Sequence, residues 1–598
     1  MSIKHIGIEL RDKVKQYQQK KVLYYKNEET NIWEGITWNE FGTQVQNISK
    51  ALLHFGIKEH QNVAIFAQNM PEWVLADIAI LSIRSVVVPI YATNSINEVT
   101  YIINDAEIKL IFVGGQEEYE KALEVLEHNK YLKLIVALNK NIKLQNNENS
   151  IYLDDFIKIK DHDAIELELQ KRYFESQLTD LASIIYTSGT TGEPKGVMLD
   201  HQNFAESLNA HELELEVNDS DVSLSLLPLS HIYERSWVLF CLHSGIKVYF
   251  NANPKQFAEV LKEVKPTLMC TVPRIYEKIY AAIQNKKKST SATKVKLMDW
   301  ALSIGHQYHN HYLRNELKVP AFLQFKYKIA DKLVLSKLRD IFGGRIKFTP
   351  CGGAALSADI VAFFHSFGLN IKCGYGLTET TATATLFGNT FFEFNSAGKP
   401  IIGTQIKIGA NDEILVKGPG VMRGYYKKTT ETAAVFKDGW FCTGDAGKID
   451  EQGNLIITDR IKDLMKTSGG KYIAPQKLET TLVNDAFIEQ IAVIGDQKNY
   501  VTALTVPCFE ALKQYANQHK ISFSSVEDLI ANNQIKEMFT KRFEELQKEF
   551  SGFEKIKKFT LLPKEFSIDT GEITATLKLK RKVIQQKYKD LIDKMYAD

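Results

Sequence analysis

Two apolar runs, Leu181-Ala-Ser-Ile-Ile185 and Val197-Met-Leu199, bracket the segment Tyr186-Thr-Ser-Gly-Thr-Thr-Gly-Glu-Pro-Lys-Gly196, which holds three glycines, four Ser/Thr hydroxyls and one lysine. The order reads strand, loop, strand. Glycines let backbone N–H groups turn inward. The hydroxyls of Thr187, Ser188, Thr190 and Thr191 add donors, and Lys195 adds positive charge, so the loop suits a polyphosphate. It is not a Walker A loop. Gly189 and Gly192 are separated by two residues where that motif needs four, and Lys195 is followed by Gly196 and a strand in place of Ser/Thr and a helix. The competing reading is a plain Gly/Thr surface turn, and the segments downstream weigh against it.

The chain has 598 residues, 44% of them hydrophobic, which is enough for a large core and several structural units. A net charge of +2 gives no electrostatic case for nucleic acid as the main partner. The six cysteines are scattered without a CxxC pair, which points to a reducing, cytoplasmic setting and away from a zinc site or disulfide framework. The start of the chain lacks the apolar core of a signal peptide. Trp73 to Tyr91 is the most apolar long stretch, but Asp77, Arg84 and Pro89 interrupt it, so it reads as a buried helix followed by a strand and not as a membrane span. Local lysine clusters leave room for a peripheral contact with the inner face of a membrane.

Strand-like runs (Val63–Phe66, Val86–Val88, Leu110–Val113, Leu134–Ala137) alternate with helical ones (Val74–Ile83), the pattern of α/β layers with largely parallel sheets. Residues from about 277 to 342 are lysine-rich and helical and read as an insertion, with Asn285 to Ala292 as a mobile loop. On composition alone it is a solvated helical arm. Lys448-Ile-Asp450 and Leu455-Ile-Ile-Thr458 flank a turn and predict a hairpin. Asp459-Arg-Ile-Lys-Asp463 looks like a linker, and a fresh pattern begins after it. The division is therefore 1–459 and 460–598. His306, His309 and His311 do not share a helical face and read as surface residues.

Four more segments carry chemistry-bearing side chains: Leu227-Pro-Leu-Ser-His-Ile-Tyr-Glu-Arg235, Gly374-Tyr-Gly-Leu-Thr-Glu-Thr380, Gly439-Trp-Phe-Cys-Thr-Gly-Asp445 and Leu577-Lys-Leu-Lys-Arg581. Singly, His231 reads as a structural histidine, Glu379 as a cap and Asp445 as a turn residue. In this order, behind the glycine loop, they resemble the adenylate-forming (AMP-binding) superfamily of acyl-CoA synthetases, luciferases and peptide-synthetase adenylation domains, from about residue 20 to about 585. The resemblance implies an α/β fold: a large N-terminal adenylation domain of layered α/β subdomains and a smaller, mobile C-terminal α+β domain.

It also implies roles. Thr187, Ser188, Gly189, Thr190, Thr191, Gly192 and Lys195 would hold the ATP phosphates. Tyr375 and Gly376 would flank the adenine, with Gly353 and Ala354 letting backbone approach its other face. Asp445 would accept from the ribose hydroxyls, beside Arg460. Glu379 is the candidate magnesium ligand, Thr378 sits near the α-phosphate, and His231 belongs to the catalytic set. Lys578 matches the C-terminal catalytic lysine, Lys462 the hinge, and Ser468, Gly469, Gly470 and Lys471 the coenzyme A passage.

Val272 to Tyr280, Ala330 to Arg339, Phe342 to Phe348 and Thr576 to Arg581 resemble the long-chain fatty acyl-CoA synthetase branch. That branch implies ATP, Mg2+ and coenzyme A and a long-chain fatty acid as substrate; a homodimer is compatible with the sequence, which does not itself specify the oligomeric state. A long chain needs an apolar tunnel, each buried methylene contributing about 0.8 kcal/mol. Trp237, Leu239 and Phe240 are candidates for its mouth, or equally for the core. Ser85 and Ala575 depart from the usual glycine and proline without touching a catalytic role. The alternatives are an acyl-carrier-protein synthetase, a fatty acyl-AMP ligase with another acceptor, and a fatty-acid uptake or binding protein without catalysis.

Overall fold

The computed structural model describes residues 4–597 except 146–147, 159–162, 188–192, 254–255, 462–464, 469–470, 568–569 and 575–578. Its largest sheet has eight strands in the order Gly424–Tyr425, Lys195–Asp200, Leu181–Thr187, Val86–Ile90, Asn62–Phe66, Leu110–Val113, Leu134–Ala137 and Ser150–Tyr152. The six from Leu181–Thr187 to Ser150–Tyr152 are parallel, while Lys195–Asp200 returns antiparallel as the second arm of the glycine-loop hairpin. Parallel strands are covered on both faces, and Val86–Ile90 is buried at every position. Helix Pro71–Ser82 lies against this sheet, opens on a proline at its first turn, and is buried almost all round.

A second sheet pairs Val222–Ser225 with Lys247–Phe250 in parallel. A third places Thr349–Cys351 parallel to Ile371–Tyr375, so that the Gly352–Ala354 turn and the 376–380 turn leave neighbouring strands at the same, C-terminal end. In open α/β sheets that end is where ligands are bound. An antiparallel sheet follows, in which Trp440–Ile449 pairs with Leu455–Arg460. The hairpin expected there forms. Asp459 and Arg460, expected in the linker, instead complete its second strand, because Asp459 faces Ala446 and Arg460 faces Asp445 across the ladder.

Beyond residue 464 the chain builds a three-stranded sheet of Ile488–Ile494, Val501–Pro507 and Ile556–Leu561. Its two apolar clusters draw only on residues from Met465 to Met595. Arg274 crosses to this part, donating to the Glu489 backbone carbonyl at 2.7 Å and to its carboxylate at 2.6 Å.

The helical insertion begins earlier than expected, with helix Pro273–Lys288. Asn285 to Lys288 are its last turn and not a mobile loop. Lysine is a good helix former, and three of them at a helix C-terminus oppose the negative end of the dipole. Residues 289–291 separate it from helix Ala292–Gly305, and the chain continues through His306–Leu313, Ala321–Ala330, Asp331–Leu335 and Ser336–Arg339. His306 and His311 are exposed as expected. His309 is not a surface residue: it hydrogen-bonds the Tyr327 hydroxyl at 2.9 Å, and burial lowers its pKa to about 4. Among the described residues no group of three or more His, Cys, Asp or Glu side chains could hold a metal ion. No described helix is long and apolar enough to cross a membrane.

Candidate active site

The hairpin register pairs Thr187 with Lys195 at the mouth of the glycine loop, and the Thr187 hydroxyl donates to the Lys195 carbonyl at 3.5 Å. Residues 188–192, which include Ser188, Gly189, Thr190, Thr191 and Gly192, lie outside the described residues. Lys195 holds its ammonium 5.0 Å from the centre of the Tyr425 ring. The Tyr425 hydroxyl donates to Glu379 Oε1 at 2.9 Å. A cation, an aromatic face and a carboxylate therefore follow one another from the hairpin to the 376–380 turn. The motif reading found Lys195 and Glu379 but missed Tyr425. Its signal was the run Gly418-Pro-Gly-Val-Met-Arg-Gly-Tyr425, in which glycines precede an aromatic pair.

The 376–380 turn is held from several sides. Thr380 Oγ1 accepts from the Leu377 amide at 2.9 Å, and Thr381 Oγ1 donates to the Gly420 carbonyl at 2.7 Å. Thr381 and Ala382 both adopt left-handed conformations, with φ of 51° and 74°. Residues held there cost free energy and persist only where their surroundings impose them. Gly376 is required: a Cβ on it would lie 1.9 Å from the Ala382 carbonyl oxygen. Thr378 and Glu379 sit half-buried on a 3-10 turn, and one carboxylate oxygen of Glu379 is engaged by Tyr425. A lone carboxylate of this kind fits a magnesium ion whose other ligands are phosphate oxygens and water.

Four residues before Glu379, Tyr375 closes the strand. Its hydroxyl donates to Asp445 Oδ2 at 2.7 Å, and Arg460 Nε donates to Asp445 Oδ1 at 3.0 Å. Asp445 is 6% exposed. A carboxylate offers about four lone-pair sites, so two remain for other donors. Burial, with the Asp445 carboxylate alongside, holds the Tyr375 phenol well above its ordinary pKa, so it stays a donor. The ring packs with Ala384, Ala397, Ile414, Val416 and Leu455.

Gly353 turns at φ 88° past the end of Thr349–Cys351 and is exposed, as is Ala354. A Cβ on Gly352 would lie 3.6 Å from the Tyr233 ring, so the helix that follows His231 abuts this turn. His231 caps that helix, Nδ1 accepting from the Tyr233 amide at 3.1 Å, and its ring lies 6.5 Å from that of Tyr91. Glu234, one turn on, is fully buried, and desolvation raises its carboxyl to about 8. The Ser225 hydroxyl and the Leu226 and Leu227 amides lie near enough to offset burial in part, but outside hydrogen-bond geometry. Trp237, Leu239 and Phe240 are all buried in the main core, and the indole N–H of Trp237 donates to Ser223 at 2.9 Å. Packing accounts for these three without a ligand.

In the C-terminal part, Ser468 donates to Asn499 at 2.8 Å, and Lys471 closes a tight turn with Thr467. Gly469, Gly470, Lys462 and Lys578 lie outside the described residues. Close to Lys578, Ile573 bridges Leu579, Arg581 donates to both oxygens of Glu479, and the Lys580 ammonium lies 3.6 Å from Glu98. Glu98 caps helix Ile96–Asp105, whose last residue accepts from the Tyr186 hydroxyl at the start of the glycine loop.

The family model for the AMP-binding enzyme matches residues 10–426, and that for the AMP-binding enzyme C-terminal domain matches residues 462–598. Long-chain-fatty-acid–CoA ligase FadD15 of Mycobacterium bovis is 31% identical over 577 residues, covering 94% of this chain and 93% of that one. Long-chain-fatty-acid–CoA ligase 1 of Cavia porcellus is 30% identical over 590 residues, covering 94% and 83%. In fold, the chain is similar to the adenylation domain of a carboxylate reductase from Mycobacterium chelonae, at a TM-score of 0.74 and 20% identity over 100% of this chain and 91% of that one. The o-succinylbenzoate coenzyme A synthetase of Bacillus subtilis, solved with ATP and magnesium ion, gives a TM-score of 0.67 at 20% identity over 96% and 98%. With two family models together spanning nearly its whole length, the chain belongs to the AMP-binding, adenylate-forming enzymes.

Proposed function

We propose that this protein is a long-chain fatty acid–CoA ligase, which activates a fatty acid with ATP through an acyl-AMP intermediate. The observation that carries the reading is the 375–379 strand-turn. It joins the buried Asp445, with the half-buried Arg460 beside it, at one end to the Glu379–Tyr425–Lys195 series at the other. A nucleotide needs those two provisions, a diol acceptor and a phosphate site, a few residues apart. The names of relatives that match over 94% of this chain support the substrate class.

In the first half-reaction a carboxylate oxygen of the fatty acid attacks the α-phosphorus, the bond from that phosphorus to the bridging oxygen breaks, and pyrophosphate leaves. Two anions must meet, so positive charge preorganised at the meeting point lowers the barrier. Lys578 would supply it, Lys195 and the glycine loop would hold the β- and γ-phosphates, and Asp445 with Tyr375 would fix the ribose and base. Magnesium, held by Glu379, would neutralise phosphate charge. In the second half-reaction the coenzyme A sulfur attacks the acyl carbon, the acyl–oxygen bond breaks, and AMP leaves. The chain beyond Lys462 would turn about that residue between the two steps, bringing Ser468 to Lys471 to the site in place of Lys578. The boundary expected at 459/460 would then fall just after Arg460, which stays in strand Leu455–Arg460 beside Asp445.

The test is AMP release by the purified protein with ATP, magnesium and fatty acids of increasing length, with and without coenzyme A. Turnover that requires coenzyme A and favours long chains supports the ligase. Pyrophosphate release indifferent to coenzyme A would move the acyl group to another acceptor, and no nucleotide turnover would refute the reading.

A further inference from the structure

Seven of the seventeen large hydrophobic side chains exposed among the described residues fall between Leu297 and Leu333. Monomeric soluble proteins rarely leave contiguous apolar patches of this sort without a use. The centre of the cluster is helix Ala321–Ala330. It buries Leu323 and Ala330 against the fold and turns Phe322 (68% exposed) and Phe325 (61%) outward. Ile329 (40%) and Leu333 (43%) continue the same side one and two turns on, at the i, i+3 and i+4 steps that put residues on one helical face.

The segment that carries the face is strongly basic. From Lys286 to Asp340 the chain carries twelve Lys and Arg against four Asp and Glu, whereas the whole chain is only +2. Three of those four acids are already engaged: Asp299 with Lys287, Asp331 with Arg339, and Glu316 with the Thr390 hydroxyl. Lys326 lies over the Phe322 ring, its ammonium 4.4 Å from the centroid, and Lys332 is exposed on the next turn. Exposed phenyl rings on a helix with flexible lysines beside them form an amphipathic interfacial surface. The rings enter the acyl boundary while the ammonium groups stay at the level of the headgroups.

We propose that this face of the helical insertion is a docking surface for an anionic lipid bilayer, on which the protein lies peripherally. Charge complementarity selects this occupant. A second copy related by a two-fold axis would set lysines against lysines, and an uncharged surface would leave them without partners. The proposal goes beyond the ligase reading and is independent of it, because the surface contains none of the residues assigned to nucleotide or thioester chemistry.

The test is flotation of the full chain, without substrates, with vesicles of phosphatidylcholine alone and of phosphatidylcholine with phosphatidylglycerol, at low and high salt. The expected result is at least tenfold stronger binding to the phosphatidylglycerol vesicles, weakening as salt rises. The double substitution Phe322→Ser with Phe325→Ser should reduce that binding about tenfold or more, with the melting temperature and AMP release from a dissolved short-chain acid kept as wild type. Equal binding to both vesicle types, no binding, or unchanged binding by the double variant overturns the proposal. So does a dimer in light scattering that the double variant dissolves, which would make the face a contact between copies. Failure of AMP release with fatty acid would instead count against the ligase reading alone.

Discussion

Replacing Asp445 with alanine tests the nucleotide site at its most buried polar point. The carboxylate is 6% exposed and accepts from Tyr375 and Arg460 at 2.7 and 3.0 Å, which leaves two acceptor positions for a ribose diol. Hydrogen bonds to a charged group contribute about 1.5–3 kcal/mol each. Two of them, taken as not fully additive, come to about 3 kcal/mol, or more than a hundredfold in ATP affinity. The substitution also strands the buried Tyr375 hydroxyl, at about 1–3 kcal/mol of stability. Titration calorimetry with ATP separates the two effects when paired with a thermal melt. Tyr375→Phe is the control: it keeps the diol acceptor and removes one orienting bond, so affinity should fall only about fivefold, for about 1 kcal/mol. If Asp445→Ala binds ATP within threefold of wild type while still folded, the ribose contact is wrong.

Lys578→Ala should abolish acyl-AMP formation yet leave thioester formation from supplied acyl-AMP near wild type; equal loss in both half-reactions would remove the assigned role. Tyr425→Phe takes away the hydrogen bond to Glu379, worth about 1.5 kcal/mol, and should lower kcat/KM for ATP about tenfold, most of all at limiting magnesium; an unchanged magnesium dependence would contradict it. Gly376→Ala drives a Cβ into the Ala382 carbonyl and should cost about 1–3 kcal/mol in chemical denaturation. Glu234 binds its proton more tightly when folded, with a pKa raised to about 8 from 4.5, so its contribution is fully present below pH 4.5 and is lost as pH rises through 8. Stability should therefore fall by on the order of 5 kcal/mol across that window. Glu234→Gln should flatten the fall, and the same slope in both proteins would show that other groups produce it.

Local chemistry was legible without a structure. The Gly/Thr loop between two apolar runs specified a strand hairpin, because glycine, proline and β-branched residues act over a few positions. The strands at Val63–Phe66, Leu110–Val113 and Leu134–Ala137 were legible for the same reason, since a fully buried parallel strand is a continuous apolar run. Where local signals were ambiguous the reading slipped. Asn285–Lys288 has the composition of a loop and the propensity of a helix C-terminus. Asp459–Arg460 has the charge of a linker, but its partners, Ala446 and Asp445, come from another strand.

Sequence alone thus determined the family, the order of the motifs and the chemical type of each candidate side chain, all properties of residue kind and spacing. Only the tertiary structure decided which of them meet. The bonds from Tyr375 and Arg460 to Asp445, from Tyr425 to Glu379, and from Arg274 to Glu489 span from 15 to 215 residues of chain. Sheet order and packing bring those ends together, and no local pattern encodes such distances. The same holds for burial: the packing decides that Trp237 and His309 are covered by neighbours and that Phe322 and Phe325 stand largely exposed.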